Sequence, residues 1–109
     1  MKEIEVQKYV IERSGADCAF IASGTGMEPL IKCGDILLVQ RQAVPRHGDY
    51  GVYVIKGGYH IRRYYNKHGH RKLLSMEIDG RARTVKSADQ YPCVGKVVEV
   101  IRTDTLAAG

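Results

Sequence analysis

Short apolar runs alternate with turns rich in glycine, proline and aspartate along most of the chain, with a new run roughly every ten residues. Runs this short, bounded by such turns, predict β-strands rather than helices. The predicted strands are residues 18–22, 36–39, 50–55, 59–65, 72–76, 84–86 and 94–102. Residues 36–39 are apolar on both faces, which is typical of a strand in the middle of a sheet. The predicted fold class is therefore all-β, a partly closed barrel or sandwich of about seven short strands.

One stretch near the N-terminus follows a helical period. Apolar residues between positions 5 and 13 recur near helical spacing, and Gly15 supplies a stop signal. We expect at most one short helix there. Small residues from 103 to 109 are typical of a flexible tail. A length of 109 residues predicts a single domain, residues 1–109, with a core of its own.

A polar loop with two glycines and a proline lies between the first two predicted strands. Its residues are Ser23, Gly24, Thr25, Gly26, Met27, Glu28 and Pro29. Loops held on a rigid scaffold are common positions for binding and catalytic residues, so this loop is the candidate site. The spacing Gly24-x-Gly26 lacks the third glycine and the following helix of a dinucleotide loop, and no cofactor is predicted.

A Gly-Asp pair precedes two of the predicted strands, at Gly34-Asp35 and at Gly48-Asp49. Two carboxylates can work as an acid and a base. An aspartate at the start of a strand, however, commonly accepts hydrogen bonds from nearby backbone N–H groups. We therefore expect Asp35 and Asp49 to be structural.

Positive charge is concentrated in one part of a chain whose formal net charge is +5. Residues 56–86 contain nine Lys or Arg against two acids. Such a segment is compatible with binding to nucleic acid or to an acidic partner. The charges also interleave with apolar residues, as on the solvent face of antiparallel strands, and we favour that plainer interpretation.

Nothing in the sequence directs the chain into a membrane or out of the cell. No apolar run approaches the ~18 residues of a membrane span. The N-terminus carries acids and lacks the apolar core of a signal peptide. A cytoplasmic location is the expectation.

Cysteine and histidine positions favour neither a disulfide framework nor a metal site. Cys18, Cys33 and Cys93 are odd in number and widely spaced, and we expect them to be small buried hydrophobes. His68 and His70 lie on one predicted turn, but no acid or cysteine stands at ligand spacing from them. No metal is predicted.

A series of motifs resembles the LexA-like family of self-cleaving repressors (peptidase S24), which includes phage repressor C-terminal domains and the mutagenesis protein UmuD. The motifs are Gly24-Thr25-Gly26-Met27-Glu28-Pro29, residues 34–39, His47-Gly48-Asp49, Ile61-Arg62-Arg63 and residues 94–101. The resemblance runs from about Tyr9 to Arg102, and residues 7–22 are most similar to UmuD. It implies the peptidase core that this family shares with bacterial signal peptidases.

The resemblance also implies a Ser/Lys dyad, in which a serine attacks a peptide carbonyl and a neutral lysine takes the proton. Gly26 stands where the family has its serine, and Arg62 stands where it has its lysine. Glycine offers no nucleophile, and arginine stays protonated at any working pH. Loss of both groups predicts a domain that binds rather than cuts. A peptidase with a relocated nucleophile at Ser23 remains an alternative.

By the same resemblance we expect a homodimer that receives an extended peptide segment, or a regulatory protein partner, by strand addition in its cleft. Arg62 at the former base position would hold a carboxylate or a peptide carbonyl there. The implied setting is bacterial or phage transcriptional regulation, including the SOS response. No membrane partner is expected. Nucleic acid is expected only through a fused or partner DNA-binding domain or, as a further alternative, through the basic segment 56–86.

Overall fold

The computed structural model describes residues 1–23, 31–76 and 82–102, and for Met76 and residues 82–86 it describes the backbone alone. The elements in chain order are β1 (Lys2–Ile4), α1 (Lys8–Ser14), β2 (Cys18–Ile21), β3 (Ile36–Arg41), β4 (Tyr50–Ile55), β5 (Gly58–Lys67), β6 (His70–Met76), β7 (Ala82–Ser87), a 3-10 helix (Ala88–Gln90) and β8 (Cys93–Ile101). The mostly-β prediction is confirmed, and β1 is the strand that the sequence pattern did not indicate.

The eight described strands form one antiparallel sheet in the order β1-β2-β3-β8-β4-β5-β6-β7. The strand that comes last in the chain, β8, lies between β3 and β4. Strands β1 and β7 are the two ends of this order, so the sheet formed by the described strands is open. Among the described residues no helix is long and apolar enough to cross a membrane.

Strands β2 and β3 are buried on both faces, as their continuous apolar runs predicted. Phe20 and Leu37 pack on one side against Val52 of β4 and Ile61 of β5. Ala19 and Leu38 face the other side, where they pack against a set of partly buried residues from β1, α1 and the sheet. The set is Ile4, Val6, Val10, Ile11, Ile36 and Ile101.

The short helix is present but begins later than the pattern indicated. It ends at Ser14, and the following Gly15 has a positive φ of 80°, readily adopted by glycine, and an N–H that donates to the Glu12 carbonyl oxygen at 3.3 Å.

Two-residue turns set the register of the β4–β5–β6 hairpins. Lys56 and Gly57 have φ values of 51° and 78°, and His68 and Gly69 have 53° and 77°. Positive φ at both central residues is the geometry of the type I′ turn, whose twist matches that of the strands it joins. The first turn pairs Tyr53 with His60 and Gly51 with Arg62. This register decides which side chains surround Arg62.

Candidate peptide-binding site

The structure describes two of the predicted site residues, Ser23 and Arg62. The other six, Gly24, Thr25, Gly26, Met27, Glu28 and Pro29, lie outside the described residues. The described part of the site therefore consists of the two ends of the loop and the surroundings of Arg62 on β5.

The two ends of the loop are joined by backbone hydrogen bonds. Gly34 N–H donates to the Ala22 carbonyl oxygen, and Ala22 N–H donates to the Asp35 carbonyl oxygen, both at 2.8 Å. Ser23 follows directly and is exposed. On the return side Ile31 is only 3% exposed and belongs to the main core. The loop thus starts and ends on a fixed base.

Asp35 stabilises this base from within. Its carboxylate accepts the Lys32 N–H at 2.9 Å, and its own N–H donates to the Lys32 carbonyl oxygen at 3.0 Å. The Arg102 guanidinium lies 3.8 Å from the same carboxylate, and Asp35 is 2% exposed. The prediction that Asp35 is structural is confirmed, and Asp49 has equivalent bonds to Arg46.

Arg62 is a half-buried cation with incomplete hydrogen bonding. Its Nη1 donates to the Ile61 carbonyl oxygen at 2.7 Å. Its Nε is buried, and no group in the described ranges accepts a hydrogen bond from it. Burial lowers the pKa of the Arg62 guanidinium from its ordinary value. An arginine starts from so high a pKa that it remains charged at neutral pH.

The strand opposite Arg62 presents a glycine and a tyrosine ring. Gly51 is the cross-strand partner of Arg62. A Cβ on Gly51 would lie 3.0 Å from the Tyr53 ring, so that ring leans over the glycine and occupies the space a side chain would take. Tyr53 is 2% exposed, and no described group accepts a hydrogen bond from its buried hydroxyl. Burial, with a smaller effect of the nearby Cys93 thiol, raises the pKa of Tyr53.

His60 shares the face of Arg62, two residues earlier on β5. Burial first, and then the Arg62 charge, lowers the pKa of His60 below its ordinary value. The shift favours the neutral form of the imidazole. Neither His60 nor Tyr53 was predicted as a site residue. The alternation of side chains along β5 is enough to place His60 on the face of Arg62. Placing Tyr53 there also requires the pairing register of β4 with β5, which the sequence does not give.

Two buried hydrogen-bond donors in this arrangement lack an acceptor among the described residues. A guanidinium Nε and a phenol hydroxyl are both hydrogen-bond donors, and both are left without an acceptor in the described residues. A carboxylate or a peptide carbonyl oxygen would satisfy them. No hydrogen bond found among these residues joins the Ser23 side chain to a histidine or a lysine, so the geometry of a serine–base pair at Ser23 is not observed there.

The cysteine prediction is right for one residue and wrong for two. Cys18 is 4% exposed, and burial raises the pKa of its thiol to about 11. Cys33 and Cys93 are exposed. Cys33 lies in the turn before β3, and Cys93 begins β8, so both stand at element ends outside the core. Within the described ranges no three His, Cys, Asp or Glu side chains are grouped closely enough to hold a metal ion.

The alternation of charged and apolar side chains expected for residues 56–86 is wrong at Tyr65 on β5. Tyr65 is one of the apolar residues that the sequence pattern places between the solvent-facing charges of residues 56–86. By register it shares a face with Arg63 and Lys67, and its cross-strand partner is Lys72. Arg71 lies on the opposite face.

The antiparallel sheet, the loop with a hydrogen-bonded base after β2 and the half-buried cation on β5 agree with the β domain that the motifs indicated. The family model of Peptidase S24-like proteins matches residues 1–98, and the chain belongs to this family. The comparison with curated proteins gave no match.

Proposed function

We propose that the chain is a catalytically inactive peptidase S24-like domain that binds an extended peptide or partner segment instead of cutting it. The observation that supports this most directly is the state of Arg62. Its guanidinium is charged, half-buried and short of one hydrogen-bond acceptor within the described residues. A general base must be able to lose its charge, and Arg62 cannot.

The same group has the properties of an anchor for an acceptor. Planar guanidinium donors bind carboxylates and carbonyl oxygens in a fixed geometry, and a partly dry environment strengthens such bonds. The Tyr53 hydroxyl on the adjacent strand adds a second donor. In this proposal a segment of the partner lies along the loop and offers a backbone carbonyl or a carboxylate to Arg62.

Self-association and strand addition form the second part of the proposal. Among the described strands β1 pairs only with β2, and β7 pairs only with β6. The outer edge of such a strand carries backbone donors and acceptors that another strand can bind. We propose that the domain acts as a homodimer, in the cytoplasm, in bacterial or phage regulation.

The test is to restore the dyad. Purified protein incubated from neutral to alkaline pH should stay intact by mass spectrometry, because neither Gly26 nor Arg62 can perform its step. The double variant Gly26→Ser with Arg62→Lys should gain cleavage of itself or of an added partner peptide, while each single variant stays inactive. An inactive double variant would argue against a retained peptide-binding cleft.

A relocated nucleophile is the competing interpretation. It predicts a specific cut in the wild-type protein that disappears in Ser23→Ala, and labelling of Ser23 by a fluorophosphonate probe. Either result would overturn the proposal of an inactive domain.

A further inference from the structure

The β5–β6 hairpin has two chemically different faces. Register places the cross-strand pairs Arg63 with Leu74, Tyr65 with Lys72, and Lys67 with His70 on one side. We call these six residues the ribbon face. The other side carries the cross-strand pair Tyr64 and Leu73, which packs with Ala88 and Tyr91 of the segment after β7. One face is therefore covered by the protein itself.

The Arg71 cation on the covered side has an ion-pair partner, whereas the three cations of the ribbon face have none among the described residues. Arg71 points to the covered side and pairs with Asp89 at 3.0 Å. Arg63, Lys67 and Lys72 are exposed. None of the ion pairs found within residues 1–23, 31–76 and 82–102 involves these three cations. Strands β5 and β6 contain no acidic residue at all. The ribbon face is thus a cluster of cations without a counter-charge in the described structure.

An aromatic ring lies in the middle of this cluster. The Lys72 Nζ lies 5.8 Å from the centroid of the Tyr65 ring, and the His47 ring meets Tyr65 in a T-shaped contact at 5.1 Å. The His47 Nδ1 accepts the Asn66 N–H at 3.0 Å, which fixes the imidazole against the hairpin. Arg63 is also held, since its Nε donates to the Gly48 carbonyl oxygen at 3.2 Å. The His47 and Arg63 side chains are thus held in place by hydrogen bonds within the chain.

We propose that the ribbon face binds single-stranded nucleic acid. Successive residues on one face of a strand are about 6.6 Å apart, so Arg63, Tyr65 and Lys67 present a cation, an aromatic ring and a second cation in a line along β5. Cations that follow a phosphate backbone, combined with an aromatic ring on which bases stack, are the components of sequence-tolerant single-strand binding. An acidic protein segment would use the cations but not the ring.

This inference does not depend on the peptide-binding proposal, because it uses other residues on another surface. The experiment is fluorescence anisotropy with a labelled deoxythymidine oligonucleotide longer than the ~4–16 nucleotides that such a surface covers. Three phosphate contacts predict a slope of about −2 for the logarithm of the association constant against the logarithm of salt concentration. The triple variant Arg63→Gln, Lys67→Gln, Lys72→Gln should remove most of that slope.

Two matched controls separate this surface from general positive charge. The variant Lys2→Gln, Lys8→Gln, Arg13→Gln removes the same net charge from β1 and α1, and it should keep the slope. Tyr65→Leu should weaken binding about tenfold, while Tyr65→Phe, which keeps a ring for stacking, should bind like the wild type. Thermal unfolding of each variant verifies that the fold is intact.

Three outcomes would overturn the proposal. The first is absence of binding at low salt, and the second is an equal loss in the two triple variants. The third is competition by polyglutamate as strong as that by the oligonucleotide, with no effect of Tyr65→Leu. That third result would assign the face to acidic proteins instead.

Discussion

Two four-residue turns in this molecule have the same construction but different surroundings. In both Lys32–Asp35 and Arg46–Asp49, a glycine with φ near 93° precedes the aspartate, and the aspartate carboxylate accepts the N–H of the first residue. Each aspartate also lies near a cation at or just after β8, Arg102 at 3.8 Å and Lys96 at 3.4 Å. The Asp35 side chain is 3% exposed and that of Asp49 is 28% exposed.

The comparison shows that the geometry of the turn is local, whereas its contribution to stability depends on its surroundings. The same four-residue geometry starts β3 and β4, the two neighbours of β8, because its hydrogen bonds need nothing beyond the turn itself. Burial then decides its importance. Around Asp35 the turn closes the base of the candidate loop and the carboxylate is almost fully buried, whereas the Asp49 carboxylate is partly exposed to solvent. Equal geometry should therefore give unequal energetic effects.

The largest expected effect comes from a substitution in β8, the strand that lies between the two strands that these turns start. Gly95 lies on β8 between β3 and β4, and a Cβ there would overlap the Gln40 carbonyl oxygen and come within 2.9 Å of the Arg41 Cα. Gly95→Ala must displace backbone, and we expect it to lower the free energy of unfolding by about 3 kcal/mol. Gly57→Ala measures the cost of a positive φ alone, because a Cβ added at Gly57 would have no neighbouring atom within 4 Å. Denaturant titration would contradict the expectation if the two variants lost equal stability.

The second prediction tests the comparison directly. Asp35→Ala leaves a partly buried Lys32 N–H without its acceptor, and we expect a loss of about 2 kcal/mol. Asp49→Ala leaves an exposed N–H that water can bond, and we expect about 0.5–1 kcal/mol. Urea unfolding of both variants provides the measurement. The corresponding Asn variants, which keep an acceptor oxygen, should each recover part of the loss. Equal costs at the two turns would show that burial is not the deciding factor.

These turns also show what the sequence could and could not predict. The strands, the short helix and the structural role of both aspartates follow from alternation and from Gly-Asp chemistry, which are local. Strand β1 was missed because Lys2, Glu3 and Ile4 include a single apolar residue, and its pairing with β2 supplies the missing information.

The surroundings of Arg62 depend on a smaller detail. The predicted strands 50–55 and 59–65 leave three residues for the turn between them, whereas the two-residue turn Lys56-Gly57 sets the register that brings Tyr53 opposite His60. Periodicity gives the face of a residue on its own strand but not its partner on the next one. The misassigned face of Tyr65 has a related cause, since apolar character does not determine orientation where both faces are partly exposed.

The smallest expected effect is on the stability of the fold at acidic pH. The Arg46 N–H first, and the Lys96 charge to a lesser degree, hold the pKa of Asp49 below its ordinary value. Because the folded-state pKa is the lower one, the contribution to stability is complete above the ordinary pKa of an aspartate and is lost as the pH falls through the lowered value. Asp49→Asn should therefore lose less stability than the wild type when both are acidified below about pH 4. Melting temperatures over a series of acidic buffers would detect this, with Glu12→Gln on α1 as a control for the general loss of negative charge. Parallel curves for wild type and Asp49→Asn would mean that the exposed turn gains nothing from its charge, and the difference between the two turns would then lie in hydrogen bonding alone.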